Sequence, residues 1–150
     1  MPGYGVQPAT EGTGLLPWSW AEERLAAAHE YWVATVRPDG RPHLMPVWAM
    51  WHEGALWFSS TPGSRKTRNL RADSHCSVSI DNGTEPVVIE GVAEEISDPA
   101  AIGRITALEK RKYSTEYAAE QPLFRVAPAR AFGIAEGDPT GSPTRWTFPG

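Results

Sequence analysis

The apolar positions change period several times along the chain, and each change marks an element. Over residues 18–30, Trp18, Leu25 and Ala28 share one face of a helical repeat, with Ser19 and Glu22 spaced as a capping box. Residues 31–37 switch to an aromatic and β-branched run, which reads as a strand ended by the turn Pro38-Asp39-Gly40. Residues 42–51 form a second strand of nearly continuous apolar character, a pattern that predicts burial on both faces. Pro46 within it lacks a ladder donor and predicts an edge, a bulge or a ligand-facing position. After the turn His52-Glu53-Gly54 a third strand spans 55–60, and a fourth spans 75–81 with Cys76, Val78 and Ile80 on one face. Asn82-Gly83 turns the chain into a fifth strand at 86–96, with a bulge or barrel corner expected at Gly91. A helix over 98–113 begins with Asp98 as cap and Pro99 in its first turn. It carries Ile102, Ile105 and Leu108 as its apolar stripe. Strands at 129–136 and 144–148 complete the list.

Closely spaced hairpin strands imply antiparallel pairing, and six or seven of them around one core imply a closed or split barrel. A doubly wound fold needs regular β-helix-β alternation, which fails at 31–60 and 75–96. The predicted class is mainly β, a small antiparallel barrel with attached helices. Residues 1–17, with four Gly and three Pro and no apolar period, read as a loose arm, leaving 18–150 as one domain.

Composition narrows the setting. At 150 residues the chain suits one domain, and its formal charge of −4 argues against general affinity for nucleic acid or anionic membrane. No apolar run reaches the ~20 residues of a membrane span, and the N-terminus lacks a signal-peptide pattern. A lone cysteine, Cys76, excludes an intrachain disulfide and fits a reducing cytoplasm. His29, His43, His52 and His75 have no metal-ligand spacing, so no metal is expected. Neither a Gly-x-Ser-x-Gly elbow nor a Gly-x-Gly-x-x-Gly fingerprint is present. Seven Trp is a large number for this length and suits a core, an interface or a flat-ligand pocket.

The chemistry concentrates at 59–71, Ser59-Ser60-Thr61-Pro62-Gly63-Ser64-Arg65-Lys66-Thr67-Arg68-Asn69-Leu70-Arg71. Here a strand turns through Pro-Gly into a short helix beginning at Ser64. Basic residues at a helix start oppose its dipole, an arrangement that makes sense when an anion such as a phosphate sits there. The alternative is a solvated basic face on a surface helix.

Gly40-Arg41-Pro42-His43-Leu44-Met45-Pro46-Val47-Trp48, then a strand and a turn, then Ser64-Arg65-Lys66-Thr67-Arg68-Asn69-Leu70-Arg71-Ala72-Asp73, resembles a known family. It is similar to the pyridoxamine 5'-phosphate oxidase-like superfamily of split β-barrel, FMN-binding-like proteins of antiparallel Greek-key type, and within it to the F420-dependent reductase branch. The resemblance covers roughly residues 31–96, with an echo at 144–148. It implies a homodimer with cofactor sites at the subunit interface. Coenzyme F420 is the implied cofactor, with FMN as the alternative. The implied activity is hydride transfer to or from an unsaturated or quinone-like small molecule. By position it implies that Pro46, Val47 and Trp48 line the ring and that Ser59, Ser60 and Thr61 lie near the linker and phosphate. Ser64, Arg65 and Lys66 would hold the phosphate with Asn69 and Arg68 nearby, and Trp146 of the partner would close the pocket. Ordinary packing is the competing role for Trp146. A non-catalytic flavin- or F420-binding protein is the competing reading of the whole, and no catalytic acid or base is singled out.

Overall fold

The computed structural model describes residues 7–8, 15–114 and 122–149. In chain order the elements are β1 (Gln7–Pro8), α1 (Trp18–Ala27), β2 (Tyr31–Val36), β3 (Pro42–Val47), β4 (Met50–His52), β5 (Ala55–Ser59), α2 (Arg65–Ala72), β6 (His75–Ile80), β7 (Val87–Ile96), α3 (Pro99–Tyr113), β8 (Leu123–Gly133) and β9 (Thr144–Thr147). One curled sheet runs β1-β9-β8-β7-β6-β2-β3, while β5 pairs with β8 and with β4. Every pairing is antiparallel except that of Gln7–Pro8 with Thr144 and Arg145. Most of the expected N-terminal arm, 1–6 and 9–14, lies outside the described residues.

The expected single strand over 42–51 is in fact two segments. β3 pairs with β2 and β4 pairs with β5, so Trp48 and Ala49 carry the chain from one end of the curled sheet toward the other. This bent crossing makes the fold a split barrel. It also corrects the expectation of burial on both faces. Leu44 is 57% and Met45 45% exposed, because β3 is the last strand of its ladder and none of the described residues covers it. Pro46, opposite Trp32 in register, and Pro42, opposite Val36, are tolerated on such an edge.

Inward positions alternate as strand geometry requires. Tyr31 and Val33 of β2, Val78 and Ile80 of β6, Val87 and Ile89 of β7, and Phe124 and Val126 of β8 are all buried in one core. Each such side chain contributes about 1.5–3 kcal/mol relative to exposure. A smaller cluster places Ala101 and Ile105 of α3 against Ala55, Trp57 and Leu123.

The boundaries of α1 and β8 differ from the sequence pattern, β8 ending at Gly133 rather than 136. The cap of α1 is Pro17, without a side-chain hydrogen bond, so Ser19 already lies inside the first turn. Glu22 instead accepts from Trp51 Nε1 at 3.2 Å, tying α1 to β4. The helix stops at Ala27 because Ala28 turns extended. β8 starts at Leu123 rather than 129, passing through Pro128, and at this point the β7–β8 register shifts between Glu90 and Gly91. The extra residue of the bulge is Ala129 of β8, opposite the Glu90–Gly91 step, and glycine is required at 91 because a Cβ there would lie 2.4 Å from Ala127 O.

Candidate functional site

Helix α2 begins as its sequence dictates. Ser60 ends the β5 run, its N–H bonded to Pro122 O at 3.1 Å. Thr61-Pro62-Gly63-Ser64 closes a turn through Ser64 N to Thr61 O, 3.2 Å. Ser64 caps the helix by accepting from Thr67 N at 3.1 Å, and its hydroxyl meets Ser60 Oγ at 2.8 Å and donates to Thr67 Oγ1 at 3.0 Å. The buried side of α2 is Thr67, Asn69 and Leu70, with Asn69 Nδ2 donating to Thr35 Oγ1 of β2 at 3.0 Å. That bond sets the helix against the barrel and fixes which way its first turn faces.

The first turn is cationic. Arg65 and Lys66 are half-buried, and among the described residues no carboxylate pairs with either. Burial lowers the Lys66 ammonium pKa below the ordinary lysine value, so holding this charge costs the fold something unless an anion compensates. Arg71, at the other end, is already neutralised by Glu95 at 3.0 Å.

The β2–β3 hairpin adds residues that the sequence motif did not single out for binding. Arg37, Arg41 and Arg65 line a cavity of about 290 Å3 with Pro38 and Asp39. Asp39 pairs with Arg41 at 2.8 Å, which leaves Arg37 and Arg65 as its surplus charge. His43 lies opposite Thr35 in register, and its Nδ1 is buried without a hydrogen-bond partner. Desolvation, followed by the charges of Arg37, Lys66 and Arg65, lowers its pKa and keeps the imidazole neutral. The signal in the sequence was the pair of arginines flanking Pro38-Asp39-Gly40. Only the hairpin geometry brings them to α2.

The other proposed site residues divide. Ser59 is half-buried beside buried Ser60, and Thr61 is exposed at the turn. Pro46 is exposed, whereas the Val47 side chain packs into the core opposite Tyr31, leaving only its backbone for a ligand. Trp48 is 40% exposed and stacks on Tyr113 with ring centres 4.4 Å apart and planes 8° from parallel. Trp146 lies apart from this group, at a packing position. It is 4% exposed, edge-on to Trp18 at 5.3 Å, and its Nε1 donates to Leu16 O at 3.1 Å. Its indole is consumed by its own chain and takes no part in the site proposed below.

A second polar cluster lies under Trp48, where Lys112 and Tyr113 of α3 meet Ala49 and Tyr31. Burial lowers Lys112 to about 8 and raises Tyr113 to about 12, and it raises Tyr31 further still. Between about 8 and the ordinary lysine value of 10.5 the unfolded chain binds more protons than the folded one, so stability rises with pH there. Lys66 acts in the same direction. Cys76, raised by burial to about 12, and the two phenols act oppositely once their unfolded forms ionise, from roughly pH 9 upward. Urea midpoints are therefore expected to climb from pH 7.5 to a maximum near about 9 and then fall, with Lys112→Met shrinking the climb. A midpoint that falls steadily from pH 7.5 would contradict this assignment.

Among the described residues no cluster of three His, Cys, Asp or Glu could hold a metal ion, and no helix is long and apolar enough to cross a membrane. Residues 21–143 match the family model for pyridoxamine 5'-phosphate oxidase. Similar solved structures include an F420 reductase, 25% identical, with 73% of this chain and 94% of that chain covered and a TM-score of 0.61. A conserved hypothetical protein from Mycobacterium tuberculosis is 22% identical over 95% of this chain and 90% of its own, TM-score 0.71. An FAD-binding protein from Mesorhizobium loti is 22% identical over 77% and 90%, TM-score 0.64. No curated protein matches the chain. A family model that spans most of the sequence, on a split barrel of the expected kind, makes this chain a member of the pyridoxamine 5'-phosphate oxidase family.

Proposed function

We propose that this protein is a coenzyme F420-dependent oxidoreductase, moving a hydride between the deazaflavin and an unsaturated or quinone-like small molecule. The observation that carries this reading is the surplus of positive charge around the start of α2. Ser60, Ser64 and Lys66 suffice for one phosphate. Arg65 and Arg37, from the adjoining hairpin cavity, exceed that need. F420 carries carboxylates beyond its phosphate and FMN does not. The 25% identical F420 reductase supports the same choice.

The residues present suit such a group. The half-buried Lys66 ammonium has no carboxylate partner among the described residues, and the neutral, buried His43 Nδ1 is unsatisfied beside it. When bound, the deazaflavin supplies the hydride chemistry. Lys66, Arg65 and the hydroxyls of Ser60 and Ser64 anchor its phosphate, with Ser59, Thr61 and Asn69 shaping the surrounding wall. The backbone of Pro46–Trp48 meets the polar edge of the ring, and Trp48 shields it from water. Holding the ring at a fixed angle to substrate is the main contribution of the protein to rate. A second copy of the chain covers the apolar side chains that one copy leaves exposed, Val36, Leu44, Met45 and Val92, and completes the site. The lone buried thiol Cys76 suits a reducing cytoplasm.

The FMN reading is favoured by the FAD-binding neighbour. Fluorescence titration of the purified protein with F420 and with FMN separates the two. Tighter binding of F420, with reduced F420 oxidised on adding a quinone, is expected. Tight FMN binding with no F420 quenching would replace the assignment, and F420 binding without turnover across a panel of acceptors would make the protein a carrier.

A further inference from the structure

The last turn of α3 is tied to the step where the chain crosses from β3 to β4. Ala49 belongs to neither strand ladder, so its peptide groups need other partners. Tyr113 Oη accepts from Ala49 N at 2.9 Å and lies 2.8 Å from His29 O and 3.0 Å from Ala49 O, to one of which it donates. Lys112 Nζ donates to Ala49 O at 3.0 Å and to Tyr31 Oη at 2.7 Å, and Tyr31 Oη donates to Leu25 O. The Lys112 nitrogen sits 4.7 Å from the Tyr31 ring centre and 5.3 Å from that of Tyr113, contacts that offset part of the cost of its burial. Tyr113 lies flat against one face of Trp48, with His29 edge-on to both rings. Two adjacent residues of one helix therefore hold both peptide groups of Ala49 and one face of Trp48, while the residue as a whole stays 40% exposed.

We propose that Lys112 and Tyr113 are positioning residues for the cofactor site: they lock the Trp48–Ala49 step so that the indole stands as a fixed wall for the ring. This rests on the reading that a flavin-like ring lies against Trp48. An ordinary core contact would bury Trp48. Here the stack leaves the indole presented outward, on the short crossing between the two strand ladders, where, among the described residues, Tyr113 of α3 and the edge of His29 set its angle. Helix α3 lies outside the motifs by which the site was read from sequence, so this role is an independent addition to that site.

The test uses Tyr113→Phe, which keeps the stacked ring and removes the hydroxyl, and Lys112→Met, which keeps the stem and removes the ammonium. Three quantities are read on each: F420 affinity by fluorescence, inorganic phosphate affinity by calorimetry, and hydrogen exchange of the Ala49 amide. Both variants are expected to bind F420 about tenfold more weakly, the scale of effect that a loosened supporting shell produces. Phosphate affinity stays unchanged, and the Ala49 amide of Tyr113→Phe exchanges at least about tenfold faster. Equal losses of F420 and phosphate affinity would reduce both residues to general support of the fold and overturn the proposal. Wild-type binding of F420 with unaltered affinity in both variants would overturn the positioning role alone. Wild-type protein that binds neither F420 nor FMN would remove the reading of the site, and the positioning role with it.

Discussion

Lys66→Ala is expected to weaken F420 binding roughly 10- to 100-fold, the loss of one charge-assisted hydrogen bond of about 1.5–3 kcal/mol. The size follows from the place of the side chain. Lys66 is half-buried in the first turn of α2 beside the Ser60–Ser64 hydroxyl pair, where solvent screens an ion pair less than on an open surface. Arg71→Ala on the same helix is the control. It breaks an exposed pair with Glu95 and should leave affinity unchanged, since its charge is already spent. Burial disfavours the Lys66 ammonium in the empty protein, so the alanine variant should unfold at a urea concentration no lower than wild type. A residue whose removal costs binding and spares stability is held for its ligand. Unaltered F420 affinity in Lys66→Ala would remove the phosphate assignment.

Trp146→Ala is expected to do the reverse. The indole is 4% exposed, contacts Trp18, and donates to Leu16 O. It also fits so closely over Gly133 that a Cβ there would approach its ring to 2.9 Å. Truncation leaves a large cavity between α1, β8 and β9, at a cost of about 3–5 kcal/mol. Urea denaturation reads that loss, and titration of the folded fraction should return wild-type F420 affinity. Intact stability with weakened binding would restore Trp146 to the site.

The opposite fates of Trp48 and Trp146 show why parts of this protein were legible in sequence and others were not. Helix α2 was readable because its start at Ser64 and its basic first turn are set by neighbours within a few residues, whereas the burial of Asn69 against Thr35 of β2 is not. The class of fold followed from strand spacing and turn residues, which are local too. The partner of an indole is not local. Trp146 meets Leu16 and Trp18 from the far end of the chain, and a short alternating strand reads the same whether it packs or binds. The cationic hairpin was missed for the same reason, since Arg37 and Arg65 share a cavity only once β2, β3 and α2 are assembled. The break at Trp48–Ala49 was hidden because a continuous apolar run gives no sign of where a strand changes its partner.

Strand β3 carries one more consequence. Pro42, Leu44 and Pro46 are alternate residues, so their nitrogens point to the same side of the strand. Because proline cannot donate, that side has to be the one turned away from β2. Of those three nitrogens, only Leu44 still carries a proton. The rim is thus a poor template for another strand, and the open apolar edge is protected from fibril-like growth despite its exposed Leu44 and Met45. Whatever docks there must do so through side chains, which favours a partner of matched shape over indiscriminate strand pairing.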